Sequence, residues 1–454
     1  MLARMFSHTI AAAAVTLVGA LALVRTVRAE PMWPSFRGVR ASGVSESASL
    51  PTTWNVKTGE NIKWKTAIPG LAHSSAIVWG ERVYVTTAVS ENPEPVLRVG
   101  LYGESPKNEE SVPHDFKLYA LDLKTGVVVW ERTAHRGVPR IQRHIKSTHA
   151  NSTPATDGKH IVAIFGSEGL FCFDRDGDKL WYRDLGLLQA GAFDVPELQW
   201  GFGSSPIIHD DRVIVQCDVN NQSFIAAFHV ETGEPIWRKD RDEQAGWGTP
   251  TIHVQDGKTQ IIVNGYKHIG AYDFETCDVV WKMRGGGDIP VPTPVIVDEL
   301  IYITNAHGPQ APVYAIRTSA RGDITLGKDE KSNEFVAWSY DRRGSYMQTP
   351  VVYRALLYAC RDNGVLTCYD ARTGEIKFRE RLGDGATGFS ASPVAGDGKV
   401  FYTTETGDVY VLKAGPSFEQ LAVNAMDEVV MATPAIAEDL LLIRGRRHLF
   451  AIGN

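Results

Sequence analysis

The amino-acid sequence predicts an all-β protein, an eight-bladed β-propeller built from four-stranded antiparallel blades. One phrase recurs eight times along the 454 residues. Within each copy, runs of four to eight residues rich in Val, Ile, Tyr and Phe are separated by Gly-containing turns, as in β-hairpins. The last copy lacks a fourth strand, and residues 61–68, which precede the first copy, supply one. Length alone would suggest about three domains. A repeat that spans the chain predicts a single domain instead.

Each copy begins with a Ser/Thr-Pro step and continues with two strands around a polar turn, a third strand of the type LYALD, a Gly turn and an aromatic fourth strand. The steps lie at Thr153-Pro154, Ser205-Pro206, Thr249-Pro250, Thr293-Pro294, Thr349-Pro350, Ser392-Pro393 and Thr433-Pro434, with Ser75-Ala76 as the degenerate first copy. Their spacings are 78, 52, 44, 44, 56, 43 and 41 residues. The short spacings fit one four-stranded blade each.

The long spacings indicate insertions. Residues 89–114 fall within the first blade, 131–150 connect it to the second, and 317–334 interrupt the fifth. Loops on a rigid scaffold are where binding residues concentrate. We therefore expect function to lie at these insertions.

Two further features of each copy predict how the blades pack. A Gly turn precedes the fourth strand, where Gly tolerates positive φ, at Thr125-Gly126, Asp176-Gly177, Thr232-Gly233 and Thr373-Gly374; Thr276-Cys277 departs from this pattern. The fourth strands carry one large ring each, namely Trp130, Trp181, Trp237, Trp281, Trp338, Phe378 and Phe418. A ring at one position of every blade predicts packing between neighbouring blades.

The two ends of the repeat region predict how the ring closes. Residues 431–454 supply three strands with no aromatic fourth strand, whereas residues 61–68 supply a Trp strand with no preceding three. We expect this N-terminal strand to complete the eighth blade, which pairs edges that would otherwise be open.

The first 29 residues are typical of an export signal. Arg4 precedes an apolar run from Ile10 to Val24, and small residues around Ala29 suit cleavage before Glu30. The alternative is an uncleaved anchor, but the run of about 15 residues is shorter than the roughly 20 that span a bilayer. No later stretch is long and apolar enough, and the first cysteine, Cys172, is too distant to carry a lipid.

The predicted organisation is therefore a signal peptide (1–29), an N-terminal segment (30–53) and a single eight-bladed propeller (54–454). We expect a periplasmic or secreted protein without a lipid anchor or a transmembrane span in the mature chain. Removing the signal leaves 44 basic and 53 acidic side chains, so the formal charge moves from −6 to −9. This acidity argues against nucleic acid as a partner.

The cysteines indicate neither a disulfide framework nor a zinc site. There are five, an odd number without CxxC spacing. If Asn363-Gly364 is a two-residue hairpin loop, Cys360 lies opposite Thr367 and the sulfurs of Cys360 and Cys368 point to opposite faces. We expect buried free thiols there.

The repeats resemble those of a known family. The segments KLYALDLKTGVVVW, GVLTCYDARTGEIKF and FIAAFHVETGEPIW are similar to the Trp-docking repeats of the pyrroloquinoline quinone (PQQ) propeller superfamily, over roughly residues 54–454. WPSFRGVRASGVS, residues 33–45, is similar to the segment before the first blade in many of these proteins. The resemblance implies one of three classes: quinoprotein dehydrogenases with PQQ and calcium, the outer-membrane assembly-factor lipoprotein, or exported propellers of unassigned role. Fold alone does not choose among them.

A quinoprotein dehydrogenase would need a stacked quinone, a cation held by oxygen ligands and an Asp base. The adjacent Cys-Cys pair of the methanol type is absent. Trp200 and Trp247 precede Ser/Thr-Pro steps and should converge on the central channel, either to hold a flat ligand or to close the channel by packing. The polar candidates are His149, Asn151, Asp218, Arg361, Asp362 and Glu405, for each of which a structural role is the alternative. No catalytic residue is assigned.

A cationic stretch is the second candidate site. Arg136, Arg140, Arg143 and Lys146 are interleaved with His135, His144 and His149 in a chain that is otherwise acidic. They predict a surface for an anionic ligand or an acidic partner, with a solvated connection between blades as the alternative. The spacing of His144 and His149 on a loop is too weak a pattern to predict a metal site.

We therefore favour a binding or scaffold protein of the cell envelope, with an envelope protein or polymer as its partner. The alternative is a PQQ-dependent oxidoreductase acting on alcohols or sugars. The absent Cys-Cys pair weighs against the enzyme, while the repeats are neutral. PQQ with calcium is accordingly expected only under the alternative, and the favoured hypothesis requires no cofactor.

Overall fold

A computed structural model describes residues 32–46, 49–100, 107–108, 110–191, 198–306 and 310–454. The predicted signal peptide, residues 1–29, lies outside the described residues. Within them no helix has the length and apolar character needed to cross a bilayer. Two 3-10 turns occur, Val39–Ala41 and Gly166–Glu168.

The predicted fold is confirmed: eight antiparallel sheets form eight blades, each ordered from an inner to an outer strand. From the inside outward, the strands of blades 1 to 4 are as follows. Blade 1 contains Ile77–Trp79, Arg82–Ser90, His114–Asp122 and Val128–Gly137; blade 2 Ala155–Thr156, His160–Ile164, Leu170–Asp174 and Lys179–Arg183; blade 3 Ile207–His209, Arg212–Cys217, Phe224–His229 and Pro235–Asp240; blade 4 Thr251–Gln255, Lys258–Val263, His268–Asp273 and Val279–Arg284.

Blades 5 to 8 repeat the arrangement. Blade 5 contains Val295–Val297, Leu300–Thr304, Val313–Arg317 and Val336–Tyr340; blade 6 Val351–Tyr353, Leu356–Cys360, Val365–Asp370 and Ile376–Arg381; blade 7 Val394–Gly396, Lys399–Thr403, Asp408–Lys413 and Gln420–Ala425; blade 8 Ala435–Ala437, Leu440–Arg444 and His448–Ile452. Four further two-residue strands lie in the described part of the chain. Met32–Trp33 pairs with the inner strand of blade 1, Gly322–Asp323 pairs in parallel with the outer strand of blade 4, and Lys107–Asn108 pairs with Arg143–His144.

The N-terminal strand closes the ring, as predicted. Ile62–Ala67 is the outer strand of blade 8 and pairs antiparallel with His448–Ile452, with Trp64 opposite Ala451. Because this strand covers the edge that the last three strands leave, the first and last parts of the repeat region form one sheet.

A ring of hydrogen bonds explains the Ser/Thr-Pro steps. In the seven steps from Ser75 to Ser392, the backbone N–H of the Ser or Thr donates to the side-chain hydroxyl of its counterpart in the next blade, beginning with Ser75 to Thr153 at 3.0 Å and ending with Ser392 to Thr433. Proline, the second residue of every step except Ser75-Ala76, has no N–H. The N–H of the preceding Ser or Thr is therefore the donor at this point of the chain. Successive steps in the sequence are therefore successive members of this buried ladder, one in each blade.

The aromatic fourth strands dock onto the next blade. The indole of Trp181 donates to the carbonyl of Val230 at 2.7 Å, and its ring covers Gly233. Trp64, Trp130 and Trp338 lie in the same way over the turn glycines of blades 1, 2 and 6. At the exceptional turn, Cys277 itself adopts φ of 59°. The predicted packing role of these rings is confirmed.

The cysteines are buried and free, but the predicted register at Cys360 is wrong. Cys360 pairs with Leu366, because the loop has three residues, Asp362 to Gly364, and Gly364 has φ of 82°. Cys360 and Cys368 therefore project from the same face. They are diagonal neighbours, which places their Cα atoms roughly 7–8 Å apart and beyond ordinary disulfide reach.

The N-terminal segment crosses the central channel. Pro34 accepts a hydrogen bond from Thr156 of blade 2, and Gly43 accepts one from Ala395 of blade 7. Between them, the fully buried Arg37 donates to the carbonyls of Pro350 and Pro393 at 2.9 and 2.7 Å. The segment therefore ties blades on opposite sides of the ring together.

Candidate functional site at the mouth of the propeller

All the residues singled out from the sequence lie at one face, which we call the mouth. This face carries the connections that lead into the Ser/Thr-Pro steps and the turns between the second and third strands of each blade. Antiparallel order places these two sets of loops at the same end of every blade. The grouping follows from topology, and the contacts at the mouth decide what it can do.

Trp200 and Trp247 meet at the mouth and stack on each other. Their ring centroids are 5.5 Å apart with planes inclined by 28°. Trp247 is held by a hydrogen bond from its indole N–H to the carbonyl of Gly201 at 2.7 Å. A flat ligand between two rings would need about 7 Å, twice the separation of carbon atoms in contact. The rings are thus in direct contact, and their role in binding stays a prediction.

Asn151 has its amide engaged within its own loop and the next one. Its Oδ1 accepts from the backbone N–H and the hydroxyl of Thr148, and its Nδ2 donates to the hydroxyl of Ser147 and the carbonyl of Phe202. His149 points elsewhere, with its Nε2 2.8 Å from Oε2 of Glu110. Both residues also line a cavity of only about 30 Å³.

Asp218 is the acidic half of a buried ion pair. Its two oxygens lie 2.7 and 3.1 Å from Nε and Nη2 of Arg241, and Gln216 donates to it at 2.7 Å. Burial disfavours the charge on Arg241, yet Asp218 and neighbouring groups raise its pKa above the ordinary value. Nearby, burial raises the pKa of Glu243 to about 7.

The insertion of blade 1 and the connection to blade 2 form a cap over one side of the mouth. We define the cap as the described residues of 91–113 together with 138–149. Gly100 donates its N–H to Oε2 of the buried Glu405 in blade 7 at 2.7 Å, and Nζ of Lys146 lies 2.6 Å from Oε1. The cap therefore reaches past blade 8 to blade 7.

The four residues of the cationic stretch all face carboxylates of the same chain. Arg136 pairs with Glu91 and Asp115, Arg140 with Asp184, Arg143 with Glu110, and Lys146 with Glu405. Because each cation is matched, the stretch fixes the cap and adds little net positive charge to the face. Its part in binding a partner remains a prediction.

Arg361 and Asp362 lie in the turn between the second and third strands of blade 6, half-buried. The backbone of Asp362 accepts a hydrogen bond from Phe389. Their side chains form no hydrogen bond or ion pair with any residue in the described part of the chain. Among the polar candidates predicted from the sequence, these two side chains are the ones without such a partner in the described residues.

Sequence reasoning missed several residues that the mouth brings together. Glu110 and His114 lie in and beside an insertion without a motif, and they join His149 only in the folded chain. Arg444 is buried, and its guanidinium has no hydrogen-bond partner among the described residues. Burial lowers its pKa to about 10. A basic residue inside the apolar run LLLIR was the signal for Arg444.

The residues at the mouth do not fit the PQQ and calcium that the superfamily implies. The Trp200–Trp247 stack leaves no slot for a quinone between its rings. Calcium takes six to eight oxygen ligands, yet both oxygens of Asp218 face Arg241 and an oxygen of Glu405 faces Lys146. The cavity of about 30 Å³ beside His149 is far smaller than the roughly 300 Å³ at the lower end for small-molecule sites.

Blades joined by Trp docking and closed by an N-terminal strand define the class of PQQ-type eight-bladed propellers. The chain belongs to this family: residues 88–194 and 192–380 match a family model described as outer membrane protein assembly factor BamB. One curated relative, outer membrane protein assembly factor BamB of Burkholderia pseudomallei (strain K96243), is 25% identical over 196 residues. This alignment covers 42% of the present chain and 45% of the relative, less than half the length of either protein.

Solved structures share the fold at low sequence identity. BamB from Moraxella catarrhalis has a TM-score of 0.53 and 14% identity, covering 81% of this chain and 98% of its own. The quinohemoprotein alcohol dehydrogenase from Comamonas testosteroni has a TM-score of 0.59 and 13% identity, covering 93% and 80%. A europium-containing methanol dehydrogenase has a TM-score of 0.60 and 13% identity, covering 93% and 89%. Structures named as BamB and as alcohol or methanol dehydrogenases therefore share this architecture.

Proposed function

We propose that the protein is an exported, non-catalytic propeller of the cell envelope that binds another envelope protein at its mouth. The observation that carries this proposal is the internal pairing of the mouth. The indoles of Trp200 and Trp247 stack on each other. The candidate carboxylates Asp218 and Glu405 each pair with a cation of the same chain. Such a surface is rigid and largely formed, which suits docking of a partner more than chemistry on a small molecule.

The family supports a protein partner, because the matching model and the curated relative are both described as outer membrane protein assembly factor. The cap supplies a suitable surface. Val96 and Val138 are about half exposed on it, at 51% and 48%. The carbonyl of Val96 accepts a hydrogen bond from Arg143, and Val138 lies two residues after Arg136, which pairs with Glu91. Apolar side chains rimmed by polar groups are typical of interaction sites. A polymer of the envelope remains the second class of ligand to test.

The alternative function is a PQQ-dependent oxidoreductase, which two of the structural neighbours favour. Titration of the purified mature protein with PQQ and calcium, followed by absorbance and calorimetry, separates the two functions. We expect no saturable binding at high micromolar quinone. Calcium-dependent binding that is lost in Trp247→Ala would refute the proposal and justify a screen of alcohols and sugars.

Site-specific photo-crosslinking in the native envelope tests the docking face. A photoreactive residue at position 96 or 138 should give a discrete protein adduct. The matched control is position 279, where Val279 is 50% exposed on the outer strand of blade 4. Adducts at all three positions alike, or at none, would contradict docking at the cap.

A further inference from the structure

Three side chains with metal-binding atoms converge beneath the cap. Glu110 lies in the insertion of blade 1, His114 begins the third strand of that blade, and His149 lies in the connection to blade 2. One ligand atom from each, a carboxylate oxygen and two imidazole nitrogens, lies within 4.8 Å of the others. Oε2 of Glu110 is 3.4 Å from Nε2 of His114 and 2.8 Å from Nε2 of His149.

The hydrogen bond on the other side of His114 fixes its tautomer. Nδ1 of His114 lies 3.0 Å from the carbonyl oxygen of Val112, which can only accept, so Nδ1 carries a proton. In the neutral ring, Nε2 then presents a lone pair to the carboxylate of Glu110. Two lone pairs at 3.4 Å repel unless a cation lies between them. That cation is either a second proton on His114 or a metal ion.

The surroundings have the form of an outer shell around a metal. Metal-binding histidines usually donate their other ring N–H to a carbonyl or carboxylate, as His114 does to Val112. Arg143 donates to both oxygens of Glu110, and its contact with Oε1 can persist while Oε2 binds an ion. Phe116 packs against His149 with a centroid separation of 6.4 Å, an apolar wall on one side.

Burial and spacing agree with an ion of the first transition row. The side chains of His114, Glu110 and His149 are 3%, 10% and 11% exposed, so an ion there would be shielded from bulk water. Two ligands on tetrahedral zinc lie about 3.3 Å apart, given bonds of about 2.0–2.1 Å. The two separations between Glu110 and the histidines, 2.8 and 3.4 Å, bracket this value. Imidazole with one carboxylate favours zinc or a neighbouring ion over calcium or magnesium.

We propose that Glu110, His114 and His149 form a binding site for a divalent transition-metal ion, with zinc as the probe, that fastens the two parts of the cap to each other and to blade 1. Three protein ligands leave a fourth position for water or a ligand. On binding, the proton of a neutral His149 moves from Nε2 to Nδ1, so the ring keeps its single proton, and only a second proton on either imidazole passes to solvent. This inference is independent of the proposed docking function.

Calorimetric titration of the chelator-treated full mature chain with Zn²⁺ tests the site. We expect one ion per chain. His114→Ala and His149→Ala should each weaken binding by more than the 10- to 100-fold typical of losing an outer-shell partner. Co²⁺ in place of zinc should give visible absorption bands that vanish in both variants.

His160→Ala is the matched control. His160 pairs with Asp157 at 2.8 Å, an imidazole–carboxylate pair outside the three-residue cluster, so its loss should leave zinc binding unchanged. His149→Gln, with circular dichroism of the apoprotein, separates loss of a ligand from loss of the fold. Zinc should also slow hydrogen exchange at the amides of Arg98 and Gly100, which are bonded within the cap and to Glu405.

Two results would overturn the site. Absence of binding at high micromolar zinc would mean that no metal ion lies between His114 and Glu110. Binding that persists in folded His114→Ala and His149→Ala proteins would place the ion elsewhere on the chain.

Discussion

Replacing Gly233 by alanine should lower the free energy of unfolding by about 2–5 kcal/mol. Gly233 lies in the turn before the outer strand of blade 3, under the indole of Trp181 from blade 2, and has φ of 68°. A Cβ atom there would lie 2.6 Å from Cδ2 of that ring. The substitution therefore tests whether Trp docking holds neighbouring blades together.

Two contributions make up the expected cost. An L-residue in the left-handed region costs roughly 1–2 kcal/mol. Overpacking of a filled site costs typically 1–3 kcal/mol, because the ring must move out of its contact with the turn. Gly257→Ala isolates the first contribution, since Gly257 has φ of 72° but nothing within 4 Å of an added Cβ. This control should cost about 1–2 kcal/mol.

Equilibrium urea denaturation of the two variants supplies the comparison, provided that the slope with denaturant is unchanged. In a Trp181→Ala background, the cost of Gly233→Ala should fall to that of the Gly257→Ala control, because the clash is gone. If Gly233→Ala and Gly257→Ala cost the same in the parent protein, the docking explanation for the turn glycines is refuted.

Three other predictions concern buried polar groups. Burial raises the pKa of Glu243 from 4.5 to about 7, so the folded state binds its proton more tightly than the unfolded state does. The free energy of unfolding should therefore fall as pH rises from about 4.5 to 7. In urea denaturation, Glu243→Gln should lack this part of the pH dependence. Arg241→Met leaves Asp218 buried without its cation and should cost about 3–5 kcal/mol in the same melts, whereas a loss below 1 kcal/mol would contradict the ion pair. Thr249→Val removes the acceptor of the Ser205 N–H and should cost about 1–3 kcal/mol, with faster hydrogen exchange at that amide; unchanged exchange would argue against the ladder.

The architecture was predictable because it repeats. The Ser/Thr-Pro steps recur at the spacings of the hydrogen-bonded ladder, and the unpaired Trp strand around Trp64 matched the incomplete last blade. Each copy carries the residues that its blade needs for these contacts. Eight copies therefore made even a degenerate first step recognisable.

The contacts of the mouth were not predictable, because they join residues that no repeat relates. Glu110 and His149 are 39 positions apart, and Glu405 meets Gly100 across 305 positions. The sequence indicated that Trp200 and Trp247 converge, but only their 5.5 Å separation shows that they touch. At Cys360, one residue more in the loop than predicted reversed the relation of the two sulfurs.

Closure by residues 62–67 has a consequence for the order in which the chain acquires its structure. The first of the blade strands to be synthesised, Ile62–Ala67, pairs with the last of them, His448–Ile452, so blade 8 cannot form until residue 452 has been synthesised. Until then the edge of the Trp64 strand and the growing edge of the sheet both stay open to other chains. Contacts this distant in sequence form slowly. The nascent protein thus has a long interval in which these edges need protection from aggregation, and loss of residues 448–452 would leave both edges open for good.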